Sequence, residues 1–272
     1  MKNTFLLATA LLLAFAGGAR AQILLYQDFD GPAEAQTYLV GTSPSPDQLS
    51  TAGTSPATPP ATWSASGNAF TAGTYGEVAG NSNTIGATAS LPFVPVDGNI
   101  YTLTANIAVT QGSGSGFAGL GFTSSSASTS SNFYALAPGP FLQLDSYNGM
   151  QTVSGVTNSF AASPNPGGNY TGTQYSIVLD TEGTDWTVAF YQGQTQLGTT
   201  YTYTNTPGNP ATDNPVINDI AIGTDTYDAG VYSNLTLTDL APAAPEPSTY
   251  LLLGLGGLAL FMVRHLRALR KV

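Results

Sequence analysis

YSIVLDTEGTDWTVAFYQG, Tyr175 to Gly193, decides the fold. Tyr175, Ile177 and Leu179 fall at every second position up to Asp180, Glu182-Gly183 supplies a turn, and Trp186, Val188 and Phe190 repeat the spacing on the way back. A period of two lays such residues along one face of a strand, whereas a helix would scatter them around its axis. Gln192-Gly193 then turns the chain into a third run, Thr195 to Thr204, so the stretch predicts an antiparallel meander with Trp186 in the core beside Val188 and Phe190.

The same reading extends in both directions. Upstream, Tyr101, Leu103, Ala105, Ile107 and Val109 alternate with polar or small residues until Gly112 to Gly116 stops them. Phe117 to Thr123, Phe133 to Ala137 and Phe141 to Asp145 read as short strands between Ser/Gly or Pro-Gly-Pro turns. Downstream, Ile217 to Gly223 and Val231 to Asp239 complete the set, with Leu235 and Leu237 on one face; at the front, Ile23 to Phe29 ends at Asp30-Gly31-Pro32. Residues 41–61 are rich in Pro, Ser, Thr and Gly and carry Gly-Thr-Ser-Pro twice, which reads as a loop. No helical period appears between residues 22 and 241. The expected fold is all-β, a two-sheet antiparallel sandwich of about ten to twelve strands in one domain, 22–241.

Composition bounds the chemistry. The chain has 272 residues, 42% of them apolar, enough for a sizeable core, with 31 Gly, 18 Pro, 8% charged residues and no Cys. Of the 16 acidic residues only Glu246 lies outside 22–241, and every Lys, Arg and His does, so the body carries a formal charge of −15. Such a surface repels nucleic acid and phosphate. Without Cys, His or Lys, it has no nucleophilic triad, no Schiff-base lysine and no imidazole or thiolate for zinc. Carboxylates remain: Glu34, Glu77, Glu182 and twelve Asp. Asp180 and Glu182 flank a hairpin turn. Asp28 and Asp30 follow the first strand, and Asp225 and Asp228 precede the last; if those strands are neighbours, the four aspartates are candidate calcium ligands, calcium taking hard oxygens, with plain turn formation as the alternative. No other cofactor is expected. Trp63, after a Pro-Pro loop, and Tyr134 and Tyr147 are candidates for stacking on sugars. Asn169-Tyr-Thr171 and Asn234-Leu-Thr236 have the glycosylation triplet.

Both ends read as addresses. Lys2, the apolar run Phe5 to Phe15 and Ala19-Arg20-Ala21 have the three parts of a secretory leader, residues 1–21, whose removal after Ala21 leaves Gln22 first. At the other end, Tyr250 to Val263 is an uncharged run of 14 residues containing Gly254, Gly256 and Gly257, short for a transmembrane helix yet composed like one. Arg264, Arg267, Arg270 and Lys271 follow and hold that end on the cytoplasmic side. Pro242, Pro245 and Pro247 keep the preceding segment extended and open to a protease.

Pro245-Glu246-Pro247, an apolar Gly-containing segment and a basic terminus together resemble the PEP-CTERM sorting tail of bacterial envelope proteins; the resemblance covers about the last 28 residues of a tail that runs over 242–272. It implies recognition by an exosortase, a membrane-embedded protease that cuts near the triplet. A precursor held in the inner membrane by segment 250–263 would then pass to the cell surface or the exopolysaccharide matrix of a biofilm. In the body, YQDFDG, GFAGLGF, YSIVLDTEGTDWTVAFYQG and GVYSNLTLTDL, in that order, resemble the concanavalin-A-like, laminin-G-type jelly roll. That resemblance implies binding of glycans or proteins more often than hydrolysis, and the Glu-x-Asp-x-x-Glu strand of the laminarinase-like members is absent. The expected function is a structural or adhesive envelope protein rather than an enzyme. A glycan-binding lectin-like module is the alternative, and a carboxylate-dependent polysaccharide hydrolase is the second.

Because trypsin needs Lys or Arg, digestion of the denatured protein should leave the chain uncut from Gln22 to Ala244, and mass analysis of the fragments would expose any internal cut.

Overall fold

The computed structural model describes residues 22–27, 62–65, 70–72, 78–80, 87–110, 117–124, 139–144, 149–153, 156–160, 172–204, 213–224 and 229–240. All belong to one compact unit, Gln22–Leu240. Its strands are β1 (Gln22–Gln27), β2 (Ser64–Ala65), β3 (Phe70–Ala72), β4 (Val78–Gly80) and β5 (Ala87–Pro92). There follow β6 (Ile100–Thr110), β7 (Ala118–Thr123), β8 (Phe141–Leu144), β9 (Gly149–Val153) and β10 (Val156–Phe160). The last five are β11 (Thr173–Asp180), β12 (Thr187–Gln192), β13 (Thr195–Thr202), β14 (Asp219–Thr224) and β15 (Ala229–Leu240). No helix occurs among the described residues. The described residues hold fifteen strands against the expected ten to twelve, and β2, β3 and β4, two or three residues long, are too short to show a period. The expected loop 41–61 and the strand at Phe133 to Ala137 lie outside the described residues.

The strands form two antiparallel sheets. One runs β13-β12-β11-β6-β15-β4-β3, with β1 also paired to β15; the other runs β10-β9-β8-β7-β14-β5-β2. The meander is as its spacing requires: Ile177 faces Phe190 and Leu179 faces Val188, and Phe190 in turn faces Leu197. Gly193 has φ +57° in a two-residue connection between the paired Gln192 and Thr195, which is the II′ hairpin whose first central position asks for glycine. The longest contact lies between β6 and β15, paired from Ala229↔Thr110 to Leu240↔Ile100. Between Ser233↔Asn106 and Thr236↔Thr104 one extra residue enters β15, a bulge, and Asn234 has φ +49° there. A short polar side chain tolerates that left-handed geometry better than most. The Asn234-Leu-Thr236 triplet thus marks a bulge in a paired strand.

Period two explains the core. Tyr101, Leu103, Ala105 and Ile107 of β6, Tyr175, Ile177 and Leu179 of β11 and Leu235 and Leu237 of β15 point inward, against Leu91, Leu120, Phe122, Leu142, Ile220 and Ile222 of the other sheet. On the opposite face of β6 and β11 the hydroxyls of Thr104 and Ser176, register partners, lie 2.9 Å apart. The second sheet differs, for β7, β8 and β14 are buried on both faces. Small residues permit this: a Cβ on Gly121 would lie 2.9 Å from both Phe141 Cα and Pro140 O, so β7 and β8 sit as close as they do only with glycine there. Phe117, Phe141 and Ala221 make a second, smaller apolar cluster.

Tyr232 joins the sheets. Its ring is wholly buried and its hydroxyl accepts the Gly119 N–H of β7 at 2.9 Å and donates to Gly223 O of β14. Burial pushes this phenol well above its ordinary range, against the pull of the two backbone bonds. Tyr232→Phe keeps the ring and removes the bonds, leaving buried backbone groups without their partner. A loss of about 1–3 kcal/mol is expected, roughly 2–9 °C in Tm for a body of this size, to be checked by thermal or urea unfolding.

Candidate functional site

The site forms where the β11–β12 connection meets two loops at one end of the sandwich. Thr181, 1% exposed, is the pin. Its hydroxyl lies 2.9 Å from Val96 O and 2.8 Å from Asn99 O and accepts the Asn99 N–H at 3.1 Å. Its own N–H donates to Asn99 O at 2.9 Å and its carbonyl accepts the Gly98 N–H at 2.8 Å. The segment 96–99 is thereby fixed to the end of β11. A second pin is Asn214, whose Oδ1 accepts the Trp186 N–H at 3.0 Å and whose Nδ2 donates to Thr184 O at 2.9 Å. Asp180 caps the bend by accepting the Glu182 N–H at 2.8 Å.

Between these segments lies an open cleft of about 450 Å³, lined by Asp97, Gly98, Thr181, Glu182, Gly183, Thr184, Trp186 and Asn214. Asp97 and Glu182 are exposed, and Trp186 is half-buried with one side against the core. An indole edge, two carboxylates and an amide, with no cation in the body, suit a neutral polyhydroxylated ligand: the ring gives an apolar platform and the carboxylates accept hydrogen bonds from hydroxyls.

Beneath the cleft a polar network joins its wall to the last strand. Tyr101 Oη accepts the Val96 N–H at 2.8 Å and is reached by Asn99 Nδ2 at 3.0 Å, and the same amide donates to Asp239 Oδ2 at 3.1 Å. The Tyr101 ring meets Phe93 edge to face, centroids 5.1 Å apart. Asp239 is 5% exposed, its Oδ1 has no hydrogen-bond partner, and burial raises its carboxyl above the usual range. Burial is also the main reason that the Tyr101 phenol is raised.

The two tryptophans exchange the roles expected of them. Trp186 lines the cleft with only part of its ring packed against the core, because β12 begins at Thr187 and the residue before it sits at the strand's mouth, beyond the full alternation. Trp63, the expected exposed ring, is 1% exposed and belongs to the main core. Asp180 and Glu182 do flank the turn. Asp97, Thr181 and Asn214 carried no signal beyond the Asp-Gly dipeptide at 97–98, a turn marker. Asp28, Asp30, Asp225 and Asp228 lie outside the described residues, although β1 and β15, whose adjacency that expectation required, are paired. Glu34, Glu77, Tyr134, Tyr147, Ala19, Ala21, Pro245, Glu246, Pro247, Arg264, Arg267, Arg270 and Lys271 also lie outside them. Among the described residues no group of three or more acidic or imidazole side chains is placed to hold a metal ion, and no helix is long and apolar enough to cross a membrane.

Fold and site together define a two-sheet β-sandwich with an acidic cleft at one end. Residues 243–268 match the PEP-CTERM protein-sorting motif, and the chain therefore carries the sorting signal of an exported envelope protein. No curated protein matches the chain. Among solved structures it is similar to an endo-1,3-beta-glucanase from Streptomyces sioyaensis, at 13% identity and TM-score 0.49, over 84% of this chain and 99% of that one. It is also similar to a chain from a study of endo-acting O-glycanases of the human gut microbiota, at 10% identity and TM-score 0.49, over 81% and 100%. A third is the carbohydrate recognition domain of Emp47p, at 11% identity and TM-score 0.47, over 80% and 97%.

Thr181→Val keeps the shape of the pin and deletes its hydroxyl. It should cost about 1–3 kcal/mol and speed hydrogen exchange at the Asn99 amide, which unfolding curves and exchange rates together would measure.

Proposed function

We propose that this chain is an exported bacterial envelope protein which an exosortase-type membrane protease sorts to the cell surface or the exopolysaccharide matrix, where the sandwich has a structural or adhesive role. The sorting motif over 243–268 carries this reading. Residues 1–21 act as the leader, 22–241 form the delivered domain, and 242–272 form the tail, in which 250–263 spans the inner membrane until the protease cuts near Pro245-Glu246-Pro247. The basic residues from Arg264 to Lys271 hold the tail in place, and the anionic body has nothing to bind it to nucleic acid.

The cleft favours a second reading, that the body binds a neutral glycan. Its support is the position of Trp186, half-exposed between Asp97, Glu182 and Asn214. A carboxylate-dependent polysaccharide hydrolase is the remaining alternative, for which Asp97 and Glu182, both exposed at the cleft, are the carboxylates at hand.

Fractionation with intact-mass analysis of the native protein tests the first reading. A product lacking Arg264 to Lys271 and found outside the inner membrane is expected; a membrane-bound chain with that terminus intact would show a permanent anchor instead. A glycan array tests the second: Trp186→Ala should weaken binding about tenfold or more, and an array silent for the unaltered protein sinks it. Sugar release from a polysaccharide, abolished by Glu182→Gln, would overturn the non-enzymatic reading.

A further inference from the structure

Asp239 is an anomaly in a body without cationic side chains. It lies on the core side of β15, in line with Leu237, at 5% exposure. Asn99 satisfies Oδ2, while Oδ1 is enclosed and bonds to nothing. A buried carboxyl half-satisfied in this way is costly, and proteins rarely keep one without a reason. On one edge of β15 its register partner is Tyr101; on the other it is Gln22, the first residue of β1. Tyr101 on β6 and Asp97 beyond it are the other titratable groups that act on this corner, and neither supplies positive charge.

Antiparallel register partners hold their Cα atoms about 4.5–5.5 Å apart, so the main-chain nitrogen of Gln22 lies within a side chain's reach of Asp239. In the full-length chain that nitrogen belongs to the Ala21–Gln22 peptide bond. Hydrolysis of the bond by a leader peptidase takes one water: the hydroxyl completes the carboxylate of Ala21, and the nitrogen becomes a primary amine that is protonated at neutral pH. We propose that leader removal sets the α-ammonium of Gln22 against the Asp239 carboxylate, forming the one cation–carboxylate pair open to the body and fastening β1 to β15 in the mature protein alone. The inference rests on the reading of residues 1–21 as a cleaved leader. It explains why an acid that no cationic side chain of residues 22–241 can neutralise stands at this place in the register.

The absence of Lys from residues 22–241 makes the pair measurable, because the α-amine is the only amine of the tail-processed body. Native protein is recovered from the envelope, its first residue is read by terminal sequencing, and the acylation rate of the amine is followed against pH. An unpaired α-amine titrates near about 7.7–8.0. Beside Asp239 it should titrate about one unit higher, acylating about tenfold more slowly at pH 7. Asp239→Asn should restore the ordinary value. So should a chain with one glycine inserted between Ala21 and Gln22, which keeps every side chain and moves the amine a residue away. Since the folded value is raised, the added stability is full below the ordinary α-amine value and is lost as pH rises through the raised one. The Tm advantage over the glycine-inserted chain should therefore show near pH 7 and close above about pH 9. A first residue other than Gln22 defeats the leader reading and the pair with it, as does a Gln22 cyclised by loss of ammonia defeat the pair. A free Gln22 amine with the same acylation profile in all three proteins defeats the pair alone.

Discussion

Fifteen carboxylates and no cationic side chain in one body leave amides, hydroxyls and the indole as its only side-chain donors. Every polar group removed from water must be answered by one of these or by the backbone. The end of the sandwich is built accordingly: Thr181 ties 96–99 to β11, Asn214 ties its loop to the β11–β12 connection, and Asn99 bridges Tyr101 and Asp239. Each bond is worth about 1 kcal/mol net, and short side chains lose little rotamer entropy in making it. Loops fixed by neutral donors hold the cleft open with its carboxylates in solvent and leave charge as the quality the body presents to its surroundings.

Much of the fold could be read from spacing. The runs at 101–109, 175–179 and 188–190 bury their alternate residues completely, because one face of each strand meets the core and the other meets solvent or a polar neighbour. Adjacency was less accessible. That β6 pairs with both β11 and β15 is a fact about residues up to 140 apart, which no local period encodes. Strands buried on both faces defeat the period itself, and in β7 glycine stands instead at 121, where a side chain would strike the next strand.

The cleft was harder to see for a related reason. Extending the alternation of Val188 and Phe190 back by one step puts Trp186 in the core, yet the strand begins at Thr187 and the ring is split between core and solvent. Trp63 shows the converse: a loop rich in proline suggests exposure, but a large apolar ring beside a two-residue strand is worth more inside. Strand ends are where both arguments fail, since pairing stops there and packing alone decides where a side chain turns. The segments that line the site all lie at such ends.

The pairing of β1 with β15 gives the sandwich an order of assembly. About 210 residues separate Gln27 from Leu240, and a contact between the first and last strands brings no return until the intervening chain has been confined. The meander β11-β12-β13 closes only short loops and can form early, whereas β6 stays unpaired on one edge until β15 arrives. Tyr232 lies on that late strand, and its hydroxyl is the bond from β15 to both β7 and β14. Among the described residues, this hydrogen-bonded tie between the sheets comes from the strand that emerges last in any N-to-C-terminal export, so a body delivered through a membrane adds it to the apolar packing only when nearly all of the chain has crossed.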